Sequence, residues 1–211
     1  RLPLAPQCLQ CLVIPAAALA PIVRLLSARC ERKREGAYGL MQAPQIGWKA
    51  GPEQYPPQEL LEYAVTAEAA GFTSIDASDH FHPWSEDGQA SFIWAWLGAA
   101  AARTSKIELG TGLTCPILRY HPAVIAQAAA TMGALAPGRF FLSVGAGEAL
   151  NEYAATAQWP GFSERQARMG EAIELIRALW KGEPVTWEGQ YYATRKARLY
   201  TLPQQPVPLC I

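Results

Sequence analysis

The sequence predicts an α/β fold in which short strands alternate with helices and the strands form one parallel sheet. Short runs rich in β-branched and aromatic residues alternate with longer runs, rich in alanine and leucine, that have helical spacing. Proline or glycine stands at several of the boundaries between them. The chain is 50% hydrophobic and 17% charged, which is typical of a protein with a well-buried core. Strand–helix units in series join through right-handed crossovers, so their strands lie parallel.

Four strand–helix units are predicted from local signals. Proline opens the first and third helices, as expected from its preference for the first turn. The fourth helix places Ile173, Ile176, Leu179 and Trp180 at core-facing spacing. The second strand is a short buried run that ends at His80. The predicted strands are residues 46–50, 73–80, 106–111 and 139–144, and the predicted helices are residues 56–70, 90–103, 122–135 and 164–180.

The pattern changes after the fourth helix. Residues 185–192 alternate around Gly189, which predicts a β-hairpin, and a fifth strand is predicted at 207–211. A barrel of eight strand–helix units usually takes ~250 residues. The 211 residues therefore predict about the first half of a (β/α)8 barrel, with a hairpin insertion near residues 185–203. Because such a half barrel leaves strand edges unpaired, we expect the chain to associate or aggregate when it is alone.

Residues 1–40 do not follow the strand–helix pattern. The chain starts at Arg1, and Pro15 and Pro21 break its first apolar stretch. That stretch is shorter than the ~20 residues that span a bilayer. Most of the positive charges follow it, whereas a signal peptide carries them before its apolar run. We therefore predict a leader outside the fold, with the domain at residues 41–211 and Met41 as a plausible start.

Charge and cysteine content narrow the classes of partner. Eighteen basic and 18 acidic residues cancel, so no basic excess favours a nucleic acid or an anionic membrane surface. Five cysteines without a regular framework favour a reducing, cytoplasmic setting. Cys8 and Cys11 have zinc-knuckle spacing but lack a second ligand pair. We therefore expect a small-molecule substrate and no metal.

The first candidate site is the loop that follows the second strand. It carries Asp79, His80, His82 and Trp84, and repeating βα folds place their chemistry on such loops. Histidine accepts protons near neutrality, so His80 is a candidate general base. The two histidines could also hold zinc, but only Cys115 and scattered carboxylates are available to complete that site. A supporting role is expected for His82.

A second candidate site follows the fourth strand. Glu148 stands after Gly145 and Gly147 and before a possible helix start, where a carboxylate is favoured. Burial against a bound group could keep such a carboxyl protonated so that it serves as an acid. The two glycines lack the third glycine of a dinucleotide fingerprint. Their expected use is close approach of the backbone to a flat ring.

Four stretches in this order and spacing carry a family resemblance. Together they closely resemble the deazaflavin (coenzyme F420)-dependent branch of the luciferase-like superfamily, and most nearly its F420-dependent glucose-6-phosphate dehydrogenases. The resemblance extends over residues 45–211. The stretches are residues 78–84, 110–116, 119–123 and 145–152.

The resemblance implies a TIM-type barrel that binds F420 at the carboxyl ends of its strands. A hydride would pass between a hydroxyl-bearing substrate, possibly a sugar phosphate, and C5 of the deazaflavin. His80 would take the hydroxyl proton, Glu148 would serve the ring nitrogen, Trp84 would stabilise the site, and Glu53 would be a further active-site carboxylate. A homodimer is implied for the full-length protein.

Five further positions match cofactor contacts in the family. The bond between Gly112 and Leu113 matches a non-prolyl cis peptide of the relatives. Residues that grip phosphate in the sugar-phosphate dehydrogenases would lie beyond Ile211. Two alternatives stay open, namely a flavin-dependent (FMN) monooxygenase of the same superfamily and an inactive fragment or interaction subunit. The implied cofactor contacts are Asp79, Gly112, Leu113, Cys115 and Asn151.

Overall fold

The computed structural model describes residues 45–211. The predicted leader and the predicted start at Met41 lie outside these residues. The strands are β1 (Gly47–Ala50), β2 (Ser74–Ala77), β3 (Glu108–Thr111), β4 (Phe140–Ser143), β5 (Val185–Glu188), β6 (Ala193–Ala197) and β7 (Leu209–Cys210). The helices are α1 (Pro57–Ala69), α2 (Ile93–Arg103), α3 (Pro122–Leu135), α4 (Ala149–Thr156) and α5 (Phe162–Leu179).

Five strands form one parallel sheet in the order β1-β2-β3-β4-β7. Neighbouring strands follow each other in sequence, apart from β5 and β6, which form a separate antiparallel hairpin. Trp48 pairs with Ile75, and Ile75 pairs with Leu109, so the outward-facing apolar residues lie side by side. This arrangement confirms the predicted series of strand–helix units and the predicted fifth strand.

The two faces of the sheet differ. Side chains alternate across a strand, and Trp48, Ile75 and Leu109 are buried beneath the helices. The next residues along β1 and β2, Lys49 and Asp76, point to the opposite face and are only partly buried. Helix α1 packs against α2, α2 against α3, and α3 against α5. The core therefore lies between the helices and one face of the sheet, and the other face is free to carry polar groups.

Strand β3 leaves its ladder with β4 near the carboxyl end. The Thr111 hydroxyl donates to the Ser143 carbonyl oxygen at 2.7 Å and accepts from the Ser143 N–H at 3.0 Å. Backbone pairing resumes at Thr114, whose N–H donates to the same carbonyl. The chain therefore loops out at Gly112 and Leu113, and the peptide bond between them is cis, as the family resemblance implied.

Two predictions about elements need correction. Strand β2 ends at Ala77 rather than at His80, so His80 belongs to the loop. The predicted second arm of the hairpin began before Tyr192, but Tyr191 and Tyr192 lie in the turn and β6 begins at Ala193. The cause is Glu171 of α5, whose carboxylate accepts hydrogen bonds from both tyrosine N–H groups and holds the turn open.

The structure also contains a short helix, α4, at the point after Glu148 where the sequence indicated only a possible helix start. Helix α4 has eight residues, and its polar members Asn151 and Glu152 are almost completely buried. The hairpin contacts the loop that follows β3, because the Tyr192 hydroxyl donates to the Ile117 carbonyl oxygen at 3.0 Å. Among residues 45–211, no helix combines the length and the apolar character needed to cross a bilayer.

Candidate active site

The loop after β2 is held in place by α4. The side-chain oxygen of Asn151 accepts hydrogen bonds from the N–H groups of Phe81 and His82, at 2.8 and 3.0 Å. Asn151 is only 2% exposed. Its oxygen is therefore already engaged by the chain itself, and its part in binding a cofactor stays a prediction. What the structure shows is that Asn151 fixes the loop that carries His80.

His80 lies between two carboxylates from different loops. Its Nδ1 is 2.8 Å from Glu53 Oε1, although the N–H is not aligned for an ideal hydrogen bond. Its Nε2 is 3.9 Å from Glu148 Oε2. The Trp84 ring meets the imidazole edge-on, with centroids 5.6 Å apart. The four residues expected to carry the chemistry are thus in one cluster.

The carboxylate beside Nδ1 of His80 belongs to Glu53 and is ionised. Burial favours the protonated form of Glu53, which is 3% exposed, but interactions with His80 and with the Glu53 N–H outweigh it. The pKa of Glu53 therefore lies below its ordinary value, and the carboxylate is ionised at neutral pH. An anion beside Nδ1 favours the tautomer that is protonated there. Nε2 lies on the side that faces Glu148.

A buried charge network supports the loop from below. The carboxylate of Asp79 accepts hydrogen bonds from the hydroxyls of Thr114 and Tyr120, at 2.8 and 2.9 Å. Arg119 lies 3.3 Å from the same carboxylate and 3.4 Å from that of Glu152. Asp79 was predicted as a cofactor contact, yet its carboxylate is engaged by donors of its own chain. No role was predicted for Arg119 or Glu152 from the sequence. Both residues lie in stretches that carry the family resemblance, but nothing in the sequence indicated that they form a charge pair.

Three glycines, Gly112, Gly145 and Gly147, form part of the floor of the cavity beside His80. A Cβ on Gly145 would come within 2.6 Å of Leu113 Cδ1, and one on Gly147 would come equally close to Cys115 Sγ. Gly147 also has a φ of +78°, which favours glycine. The lining residues are Asp79, His80, Gly112, Leu113, Thr114, Cys115, Gly145, Ala146, Gly147, Glu148, Asn151 and Glu152.

Seven of the nine predicted site residues line this cavity, and the other two, Glu53 and Trp84, contact His80. Its volume is about 240 Å³, below the ~300–1,000 Å³ of typical ligand pockets. The Glu148 side chain is 59% exposed. The burial expected for this acid therefore has to come from whatever binds in the cavity.

Burial makes the thiol in the cavity unreactive. It raises the pKa of Cys115 to about 12, with a smaller contribution from the charge of Glu152. Because the thiolate is the nucleophile, we expect iodoacetamide at about pH 8 to modify exposed Cys210 and to leave Cys115 unmodified. Peptide mass spectrometry checks this, and both residues should react in denaturant. Modification of Cys115 at the rate of Cys210 in the folded protein would contradict the prediction.

Comparison with known proteins places the chain in a family. Residues 38–211 match the family model described as luciferase-like monooxygenase. The chain belongs to this family. Its relatives include an F420-dependent glucose-6-phosphate dehydrogenase from Gordonia bronchialis, which is 50% identical over 175 residues covering 82% of this chain and 52% of that protein. A protein of the same name from Nocardia farcinica is 53% identical over 79% of this chain and 51% of its own length. The chain thus spans about half the length of these luciferase-like relatives.

Solved structures of the family agree with this assignment. An F420-dependent secondary alcohol dehydrogenase in complex with an F420–acetone adduct superposes with a TM-score of 0.77 at 48% identity, over 78% of this chain and 51% of that one. The coenzyme F420-dependent tetrahydromethanopterin reductase from Methanopyrus kandleri gives 0.64 at 26% identity, over 78% and 49%. The family resemblance and the α/β luciferase-like fold class predicted from the sequence are both confirmed.

Proposed function

We propose that the chain carries the proton-transfer centre of an F420-dependent oxidoreductase. The observation that carries the proposal is the placement of His80, with Nδ1 beside ionised Glu53 and Nε2 on the side of the cavity and of Glu148. The names of the relatives, at 50–53% identity, support the same cofactor. The substrate bears a hydroxyl group on the carbon that exchanges the hydride.

The floor of the cavity is the place we propose for the flat ring of F420. Gly145 and Gly147 line the cavity, and a Cβ on either would collide with a side chain of the same chain, that of Leu113 or Cys115. Gly112, Leu113 and Cys115 line the same cavity and are the contacts we propose for the cofactor. Asp79 and Asn151, whose side chains are engaged within the chain, support the site mainly by holding the loop.

The residues of this chain handle the protons of the reaction. When bound, F420 supplies C5 as the position that accepts or donates the hydride. His80 Nε2 accepts the proton of the substrate hydroxyl, and the positive charge that forms on the ring is stabilised by Glu53 at 2.8 Å. Glu148, on the other side of the imidazole and 3.9 Å from Nε2, is the residue that would serve the ring nitrogen as the acid once a bound group buries it. The edge-on contact of Trp84 limits rotation of the imidazole.

For the substrate we propose a sugar phosphate, with glucose 6-phosphate first, because the sugar-phosphate dehydrogenases reach 53% identity. The secondary alcohol dehydrogenase at 48% identity makes a simple secondary alcohol the second candidate. No lysine or arginine is among the described residues that line the cavity. A substrate phosphate would therefore be bound by groups outside this lining. We further propose that the full-length protein is a cytoplasmic homodimer.

A cofactor titration tests the proposed function. We expect oxidised F420 to bind to the protein encoded by the whole reading frame with saturable fluorescence quenching, and FMN to bind at least about tenfold more weakly. Glucose 6-phosphate and 2-propanol, supplied in turn, then show which alcohol bleaches bound F420. Preference for FMN would support the monooxygenase alternative. Binding of neither cofactor would support a non-catalytic fragment or interaction subunit.

A further inference from the structure

A lysine–aspartate pair stands on the free face of the sheet, close to the cavity floor. Lys49 of β1 and Asp76 of β2 are direct partners in the parallel ladder. Lys49 Nζ lies 2.8 Å from Asp76 Oδ2, and the two side chains are 21% and 22% exposed. Nothing in the proton-transfer cluster uses either residue.

The same ammonium group also reaches the segment where β3 leaves its ladder. Lys49 Nζ donates a hydrogen bond to the carbonyl oxygen of Gly112. The Gly112 N–H donates to the Ala77 carbonyl oxygen at 2.8 Å. A Cβ on Gly112 would overlap both Lys49 Nζ and Asp76 Oδ2, so the charged pair packs directly against this backbone. The two hydrogen bonds therefore hold the peptide units on either side of the Gly112 Cα, and the Lys49 bond is the one made to the Gly112–Leu113 peptide.

We propose that Lys49 is a positioning residue that sets the orientation of the Gly112–Leu113 peptide in the cavity floor. This rests on the proposed function, because the floor is where the ring of F420 would lie. Leu113 is 49% exposed and packs against Gly145. A rotation of the Gly112–Leu113 peptide would therefore move Leu113 and shift the Gly145 part of the floor with it. Asp76 holds the ammonium group in line with the Gly112 carbonyl.

If Lys49 and Asp76 formed only an ordinary ion pair, their substitutions would have different effects from those expected for a positioning role of Lys49. If Lys49 and Asp76 only attracted each other, removing either charge would have a similar, small effect, since partly exposed pairs contribute little to stability. Removing both charges would then restore the wild-type behaviour. If Lys49 acts through the Gly112 carbonyl, only variants that lack the ammonium group change the floor. Asparagine at position 76 still accepts from Lys49, which makes Asp76→Asn a matched control.

The test compares Lys49→Met, Asp76→Asn and the double variant Lys49→Met/Asp76→Leu in two measurements. In F420 titrations followed by fluorescence quenching, we expect both Lys49→Met variants to bind about tenfold more weakly and Asp76→Asn to stay within about threefold of wild type. In hydrogen–deuterium exchange, we expect faster exchange across residues 111–116 in the two Lys49→Met variants. Residues 140–143 of β4 should exchange as in wild type.

The two measurements separate this inference from the proposed function. The positioning role is overturned if residues 111–116 exchange alike in wild type and Lys49→Met, or if the double variant regains wild-type exchange in this segment. It is also overturned if Asp76→Asn loosens the segment as much as Lys49→Met does. A wild-type protein that does not bind F420 refutes the proposed function, and the exchange measurement then still decides what Lys49 does.

Discussion

Replacing His80 with alanine lowers F420-linked turnover by about 10²–10⁴-fold, the usual contribution of a positioned general base. This corresponds to roughly 3–5 kcal/mol of transition-state stabilisation, because each ~1.4 kcal/mol is a factor of ten in rate. F420 affinity stays within about threefold of wild type, since the cavity floor is built by residues of other loops. Steady-state rates and a cofactor titration on the protein encoded by the whole reading frame measure both quantities.

His82→Ala is the matched control for this experiment. His82 is exposed and stacks on Phe81, and only its backbone N–H takes part in holding the loop. We expect its turnover to stay close to wild type. If His80→Ala instead abolished cofactor binding and the bound enzyme turned over normally, His80 would be a cofactor contact and not the base.

Glu148→Gln separates the two proton-transfer roles. Glutamine keeps the shape of the side chain but cannot give up a proton, so turnover falls while F420 affinity changes little. In pH–rate profiles, loss of the base removes the acidic limb and loss of the acid removes the alkaline limb. A Glu148→Gln profile that retains its alkaline limb would assign the acid to another residue.

Replacing Arg119 with leucine destabilises the fold by roughly 3–5 kcal/mol, because it leaves buried carboxylates without their cation. The arginine side chain is 10% exposed, and those of its two partners, Asp79 and Glu152, are each 1% exposed. Urea denaturation measures the loss. Arg103→Leu is the control, since Arg103 pairs with Glu62 on the surface, where both side chains are about half exposed or more. There we expect a change of ~1 kcal/mol or less.

The effect of Arg119→Leu also depends on pH. Burial raises the pKa of Glu152 above its ordinary value, although Arg119 opposes the shift. A carboxyl whose pKa is raised in the folded protein contributes stability at low pH and loses it as the pH rises through that pKa. Without Arg119 the pKa rises further. The difference in unfolding free energy between wild type and Arg119→Leu should therefore be larger at about pH 8 than at about pH 5. An equal difference at the two pH values, measured by urea denaturation, would contradict this account of the network.

Local sequence signals predicted the repeating units well. Helix α3 has the predicted bounds. Pro122 stands at its first position, and Pro137 and Gly138 follow shortly after its last residue, Leu135. For helix α4 only a possible start was indicated, because eight residues form it and it depends on tertiary contacts of Asn151 and Glu152. A segment this short has too few residues for its periodicity to reveal a helix.

The charge pairs near the site could not be predicted from sequence patterns, for a different reason. Lys49 and Asp76 are 27 residues apart in sequence, and Arg119 and Glu152 are 33 apart. Such pairs form only when strands and loops come together, so spacing along the chain does not indicate them. Glu53 was identified through the family resemblance alone, and its contact with His80 came from the structure.

Replacing the β5–β6 hairpin with that of another family member would affect the cavity as well as the protein surface. The Tyr192 hydroxyl holds the carbonyl of Ile117, two residues beyond Cys115 of the cavity lining. A hairpin of a different length would move this hydroxyl away from Ile117. The part of the cavity wall that contains Cys115 would then lose this hydrogen bond. An exchanged hairpin would therefore keep the cavity wall at Cys115 in place only if it returned a hydroxyl to the Ile117 carbonyl oxygen.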